Sequence, residues 1–64
     1  MERQIKHGLA ILRLKQLEAH IGLKRSAIYS KMNPKSRQFD PDFPVSVSLG
    51  DRAVGWYAHE VEEW

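Results

Sequence analysis

Three observations predict an α+β fold, mostly helical, for this 64-residue chain. Apolar residues recur at helical spacing in two runs that meet at Gly22. A strictly alternating stretch, Val45-Ser46-Val47-Ser48-Leu49, precedes a Gly50-Asp51 turn signal and a further apolar stretch, Val54-Gly55-Trp56. Tyr57, Val61 and Trp64 then return to helical spacing. The expected molecule is one small domain: two helices meeting at a corner, a two-stranded β-hairpin and a C-terminal helix. A chain of this length buries only roughly 60% of its unfolded surface. Neither a second domain nor a cleft enclosing a small molecule is expected.

Residues 1–10 are expected to form a flexible N-terminus, leaving 11–64 as the domain. Ile11-Leu12-Arg13-Leu14 is short and apolar and reads as extended. Leu14, Leu17 and Ile21 then line one face of a helix over 15–21. Gly22 supplies the permissive backbone that a tight break between helices needs. Leu23 pins the turn, and helical spacing restarts over 25–32 with Ile28 and Met32 facing the core. Asn33-Pro34 ends that helix, because a residue before proline is steered out of helical geometry. Two helices joined by a short Gly-containing turn form a helix-turn-helix.

All three prolines fall within 33–44, a long loop for so small a domain. Phe39 and Phe43 are expected to pin it, and Asp40 and Asp42 to serve as loop caps or turn formers. Beyond it, strand parity admits two hairpin registers. A two-residue turn at Gly50-Asp51 pairs Val47 with Val54 and Val45 with Trp56. A four-residue loop over 50–53 pairs Leu49 with Val54 and Val47 with Trp56, and leaves Arg52 free at the tip. Both put the apolar side chains on one face. In the closing helix, Glu62 and Glu63 oppose the macrodipole, at a few tenths to ~1 kcal/mol each.

Several chemistries lack their residues. There is no cysteine, hence neither a disulfide nor a thiolate zinc site. His7, His20 and His59 are dispersed and read as solvated. The stretch from His59 to Trp64 lacks the second histidine of a zinc-protease motif. No Gly-rich phosphate loop is present, and Asp40 and Asp42 have no shielded pocket in which their pKa values would separate. No enzyme activity, cofactor or small-molecule ligand is expected. No apolar run reaches the roughly 20 residues of a membrane span, and the charged start, Met1-Glu2-Arg3-Gln4, does not resemble a signal peptide. The expected location is the cytoplasm, with the nucleoid.

Charge is informative through its distribution. Residues 1–38 carry a net +7 and residues 39–64 a net −5, for +2 in all. Arg13, Lys15, Lys24, Arg25, Lys31, Lys35 and Arg37 cluster about the helical corner. A surface so polarised orients a protein towards a polyanion. The second helix of a helix-turn-helix enters the DNA major groove with its N-terminal residues at base edges. Arg25 suits bidentate recognition of guanine, and Ser26 and Ser30 suit bases or phosphates. Tyr29 and Lys31 are placed for phosphates.

The stretches I-L-R-L-K-Q-L-E-A-H-I-G-L-K-R-S-A-I-Y (11–29), F-P-V (43–45), L-G-D-R-A-V-G-W (49–56) and E-V-E-E-W (60–64) resemble, in this order, the AlpA-type prophage regulatory proteins. The resemblance implies a small winged helix-turn-helix akin to phage excisionases and MerR-type DNA-binding domains. It further implies a sequence-specific transcriptional regulator of a prophage or genomic island. The helix from Arg25 would be the recognition helix, Arg52 the tip of the wing, and Trp56 core. Lys24, Lys35 and Arg37 complete the expected DNA-binding set. Two departures stand out. Lys24 replaces the usual small hydroxyl residue opening the second helix, a loss of typically ~1 kcal/mol, which leaves Ser26 as the candidate cap. The 33–42 loop is also longer than in many relatives. Expected partners are double-stranded DNA, a second copy of the chain on DNA, and an integrase or RNA polymerase. Two other readings remain: an excisionase-like factor that bends DNA, and a protein-interaction module using the acidic C-terminal helix with Val61 and Trp64.

Overall fold

In the computed structural model, which describes residues 3–4 and 10–64, three helices and a four-stranded sheet surround one buried tryptophan. The elements are β1 (Arg3–Gln4), β2 (Ile11–Leu12), α1 (Leu14–Ile21), α2 (Arg25–Met32), β3 (Val47–Gly50), β4 (Ala53–Tyr57) and α3 (Ala58–Glu63). The sheet order is β1-β3-β4-β2. β3 and β4 form the antiparallel hairpin, β2 adds antiparallel to β4, and β1 adds parallel to β3. The expectation of a flexible 1–10 falls largely outside the described residues. Within it, the backbone of Arg3–Gln4 pairs with Val47 and Ser48.

The helical corner forms as its sequence suggests. Gly22 closes α1 in the left-handed region at φ 74°, and its N–H donates to the Glu18 carbonyl at 2.8 Å. A side chain there would be strained. α2 ends at Met32, with Asn33 in extended geometry before Pro34. Leu17 and Ile28 of the two helices are fully buried with Trp56, Phe43 and Val61. Leu12, Leu14, Ile21, Leu23, Met32 and Val54 pack around that cluster.

The hairpin departs from both expected registers. Gly50 pairs with Ala53 across an Asp51–Arg52 turn, but Ser48 pairs with Val54 and Val47 with Gly55. An irregularity between Ser48 and Gly50 shifts the ladder by one residue. A one-residue shift moves side chains to the opposite face. Val47 therefore faces away from Trp56, and the hairpin buries apolar groups on both faces. Ile11 and Leu49 close over Gly55, where an added Cβ would lie 3.2 Å from Leu49 Cδ1 and collide with Ile11 Cγ2. The alternation of 45–49 fails at its start as well. Val45 is exposed and Ser46 is buried, both outside the regular strand.

Two further expectations are corrected. Phe43 pins the 33–44 loop at 4% exposure, whereas Phe39 lies on the surface at 39%. Tyr57 ends β4 rather than joining the closing helix, which begins at Ala58. Glu62 and Glu63 are exposed to solvent, where water screens their conflict with the macrodipole.

Candidate nucleic-acid interface

The first turn of α2 is electrostatically unusual. Its N-cap is Lys24, in extended geometry, whose carbonyl accepts the Ile28 N–H at 3.0 Å. No side chain caps this end, and no acidic residue stands in the first turn. Ser26 is helical and so is not the substitute cap. Unpaired N–H groups and the positive pole of the macrodipole favour an anion at such an end. Instead the chain supplies two exposed cations, Lys24 and Arg25. Each runs against the macrodipole by about 0.3–1 kcal/mol. A phosphate there is attracted by the cations and by the helix pole alike, which offsets that cost.

Ser26 is exposed beside them, and Tyr29 stands one turn on, 38% exposed. The Arg25 guanidinium lies 5.8 Å from the centre of the Tyr29 ring. That ring meets Trp56 edge-to-face at 6.2 Å, which ties it to the core. Ser30 is half-buried. Lys15 and Lys24, with Glu18 beside them, line a shallow groove of about 260 Å³ at Gly22, so cations from both sides of the turn share this corner with one carboxylate.

Lys31 points elsewhere. It is half-buried, and its ammonium lies 5.5 Å from the centre of the Trp64 ring. Trp64 donates its indole N–H to Asp40 Oδ2 at 2.8 Å and packs edge-to-face on Phe43 at 4.9 Å. The Asp40 N–H donates to the Lys31 carbonyl at 2.9 Å, and Asp40 Oδ1 accepts the Asp42 N–H at 2.9 Å. The last contact is the turn-forming role expected of this pair. The Trp64 hydrogen bond first and then the Asp42 amide hold the Asp40 carboxyl below its usual value; desolvation opposes them, and the Lys31 charge adds the smallest effect. Lys35 and Arg37 are exposed in the following turns, where Asn33 Oδ1 accepts the Lys35 N–H at 3.0 Å.

Arg52 occupies the exposed hairpin tip at φ 58°. A left-handed conformation costs a residue with a Cβ roughly 1–2 kcal/mol. Glycine or asparagine would relieve it.

The sequence placed Arg13 in the basic corner without a role. Its Nε donates to the Val54 carbonyl at 3.0 Å, while its backbone N–H donates to Gln16 Oε1 at 2.8 Å. One exposed cation thus bridges the start of α1 and the hairpin. No local pattern marks it, because the contact spans 41 positions.

Among the described residues, no group of three or more histidines, aspartates or glutamates could hold a metal, and no helix is long and apolar enough to cross a membrane. His20 and His59 are exposed, and His7 lies outside the described residues.

Residues 10–64 match the family model described as prophage CP4-57 regulatory protein (AlpA). The chain is also 39% identical over 59 residues to the DNA-binding transcriptional activator AlpA of Escherichia coli (strain K12), covering 92% of this chain and 84% of that protein. No solved structure matches it.

Proposed function

The chain belongs to the AlpA family of prophage regulatory proteins, and from that premise we propose that it is a sequence-specific, duplex-DNA-binding regulator of transcription that acts without catalysis, in the cytoplasm. The observation that carries this reading is the first turn of α2. Lys24 and Arg25 stand at the positive pole of an uncapped helix whose first turn holds no acidic residue. That arrangement is unfavourable alone and favourable against phosphate.

Arg25, Ser26 and Ser30 face base edges in the major groove, with Tyr29 at the backbone. Lys24, Lys35 and Arg37 neutralise phosphates, and Arg52 carries the wing tip to the neighbouring backbone or minor groove. Lys31 adds positive potential from its place over Trp64. One bidentate arginine–guanine contact gives about 1–3 kcal/mol of base discrimination. A module of this size covers roughly 600–1,000 Å² of interface, so two copies on repeated sites supply the specificity. The acidic corner of Asp40, Asp42, Glu60, Glu63 and Trp64 faces a groove of about 670 Å³. It is the surface left for RNA polymerase, an integrase or a second copy.

Selection from random duplexes, followed by salt titration of the enriched site, tests the reading. Enrichment of one motif is expected, with log affinity falling against log salt by about 0.9 for each phosphate contact. No enrichment, together with no duplex binding at low ionic strength, overturns it.

A further inference from the structure

We propose that Tyr29 is a positioning residue for Arg25: its ring is an aromatic shelf that holds the guanidinium in place before DNA arrives. This rests on the proposed function, because Arg25 is there the base reader. Arg25 and Tyr29 lie four residues apart on α2, the spacing at which helical side chains meet, and the guanidinium stands 5.8 Å from the ring centre. Arginine over an aromatic face is attractive out to about 6 Å.

A shelf must itself be fixed. Tyr29 is 38% exposed, yet its ring meets Trp56 edge-to-face at 6.2 Å, and Trp56 is fully buried. Trp56 sits on β4 within the cluster that also holds Leu17 and Ile28. The relay therefore runs from core to ring to guanidinium. Arginine is rich in rotamers, and an unrestrained one loses that freedom on binding. Restricting it in advance favours the bidentate geometry over looser phosphate contacts. The shelf thus acts on base preference more than on total affinity. The ring performs this role and the hydroxyl does not, so the two are separable.

The experiment compares the full chain with its Tyr29→Phe and Tyr29→Leu variants. In the free protein, NMR of the Arg25 side chain reads the shelf directly. Ring-current shifts at Arg25 Hδ and Hε are expected in the parent chain and in Tyr29→Phe, and are expected to vanish in Tyr29→Leu. On the selected duplex, preference for the cognate base over a single-base change is expected to persist in Tyr29→Phe. In Tyr29→Leu it is expected to fall about two- to fivefold, the worth of an exposed cation–π contact, with an unchanged salt slope. Arg25 resonances free of ring-current shift in the parent chain overturn the proposal whether or not DNA binds. So does a Tyr29→Phe variant that loses base preference as far as Tyr29→Leu, because the hydroxyl would then be the reader. Shelf shifts in a parent chain that binds no duplex refute the DNA reading alone.

Discussion

The two ends of α2 carry similar charge and opposite circumstances. At the N-terminal end, Lys24 and Arg25 are exposed, uncapped and without an acidic neighbour in the first turn. At the C-terminal end, the Lys31 ammonium lies over Trp64, whose indole N–H is bound by Asp40. Lys31 is also on the favourable side of the macrodipole, where Arg25 is on the unfavourable one. The first end has no carboxylate in its own turn, whereas at the second the Asp40 carboxylate lies near enough to feel the Lys31 charge. A count of basic residues treats these cations alike, whereas their surroundings differ: Lys24 and Arg25 are exposed, and Lys31 is half-buried over Trp64.

Charge changes at the two ends give the largest expected contrast. Arg25→Glu is expected to lower affinity for the selected duplex about a hundredfold, removing a bidentate contact and adding repulsion, while the melting temperature rises, because a carboxylate suits the positive pole of the helix where a cation does not. Lys31→Ala is expected to cost under about tenfold and to flatten the salt slope by less than the 0.9 of a full phosphate contact. Fluorescence anisotropy over a salt series measures both, and equal losses would erase the distinction between the ends.

Trp64→Ala sharpens the comparison from the other side. It removes the ring from Phe43 and Lys31, and is expected to cost about 1 kcal/mol of stability, or about 4–8 °C in a domain this small. Affinity at a temperature where both proteins are folded should change little. A variant that melts normally but binds tenfold more weakly would place Trp64 in the interface.

The smallest effect is expected from acid. The Asp40 carboxyl titrates lower in the folded chain than its usual 3.8. Its contribution is therefore fully present above that value and is lost as pH falls through the folded pKa. Asp40→Asn keeps the side-chain carbonyl that accepts the Asp42 N–H, but the variant is expected to show a shallower loss of melting temperature below pH 4. Parallel acid limbs in the two proteins would mean that the Trp64 hydrogen bond adds nothing to stability.

Local chemistry made much of the fold legible. Leu14, Leu17 and Ile21 mark α1 by spacing, Gly22 ends it because only glycine enters the left-handed region freely, and Pro34 stops α2 through steric pressure on Asn33. The hairpin turn was legible while its register was not. The irregularity lies beside Leu49, which closes over Gly55 together with Ile11 of a distant strand. Phe39 and Phe43 are equivalent by composition, and the packing of Phe43 in the core cluster and against Trp64 separates them.

The candidate site divides in the same way. Helical spacing alone puts Arg25 and Tyr29 on one face, since a turn of backbone sets that neighbourhood regardless of what surrounds it. Bracing of Tyr29 by Trp56, withdrawal of Lys31 to Trp64, the hydrogen bond of Trp64 to Asp40 and the reach of Arg13 to Val54 each join residues more than twenty positions apart. Such contacts exist once the chain has closed around its core. Periodicity and charge are properties of neighbours along the backbone, while the choice of which cations stay free belongs to neighbours in space.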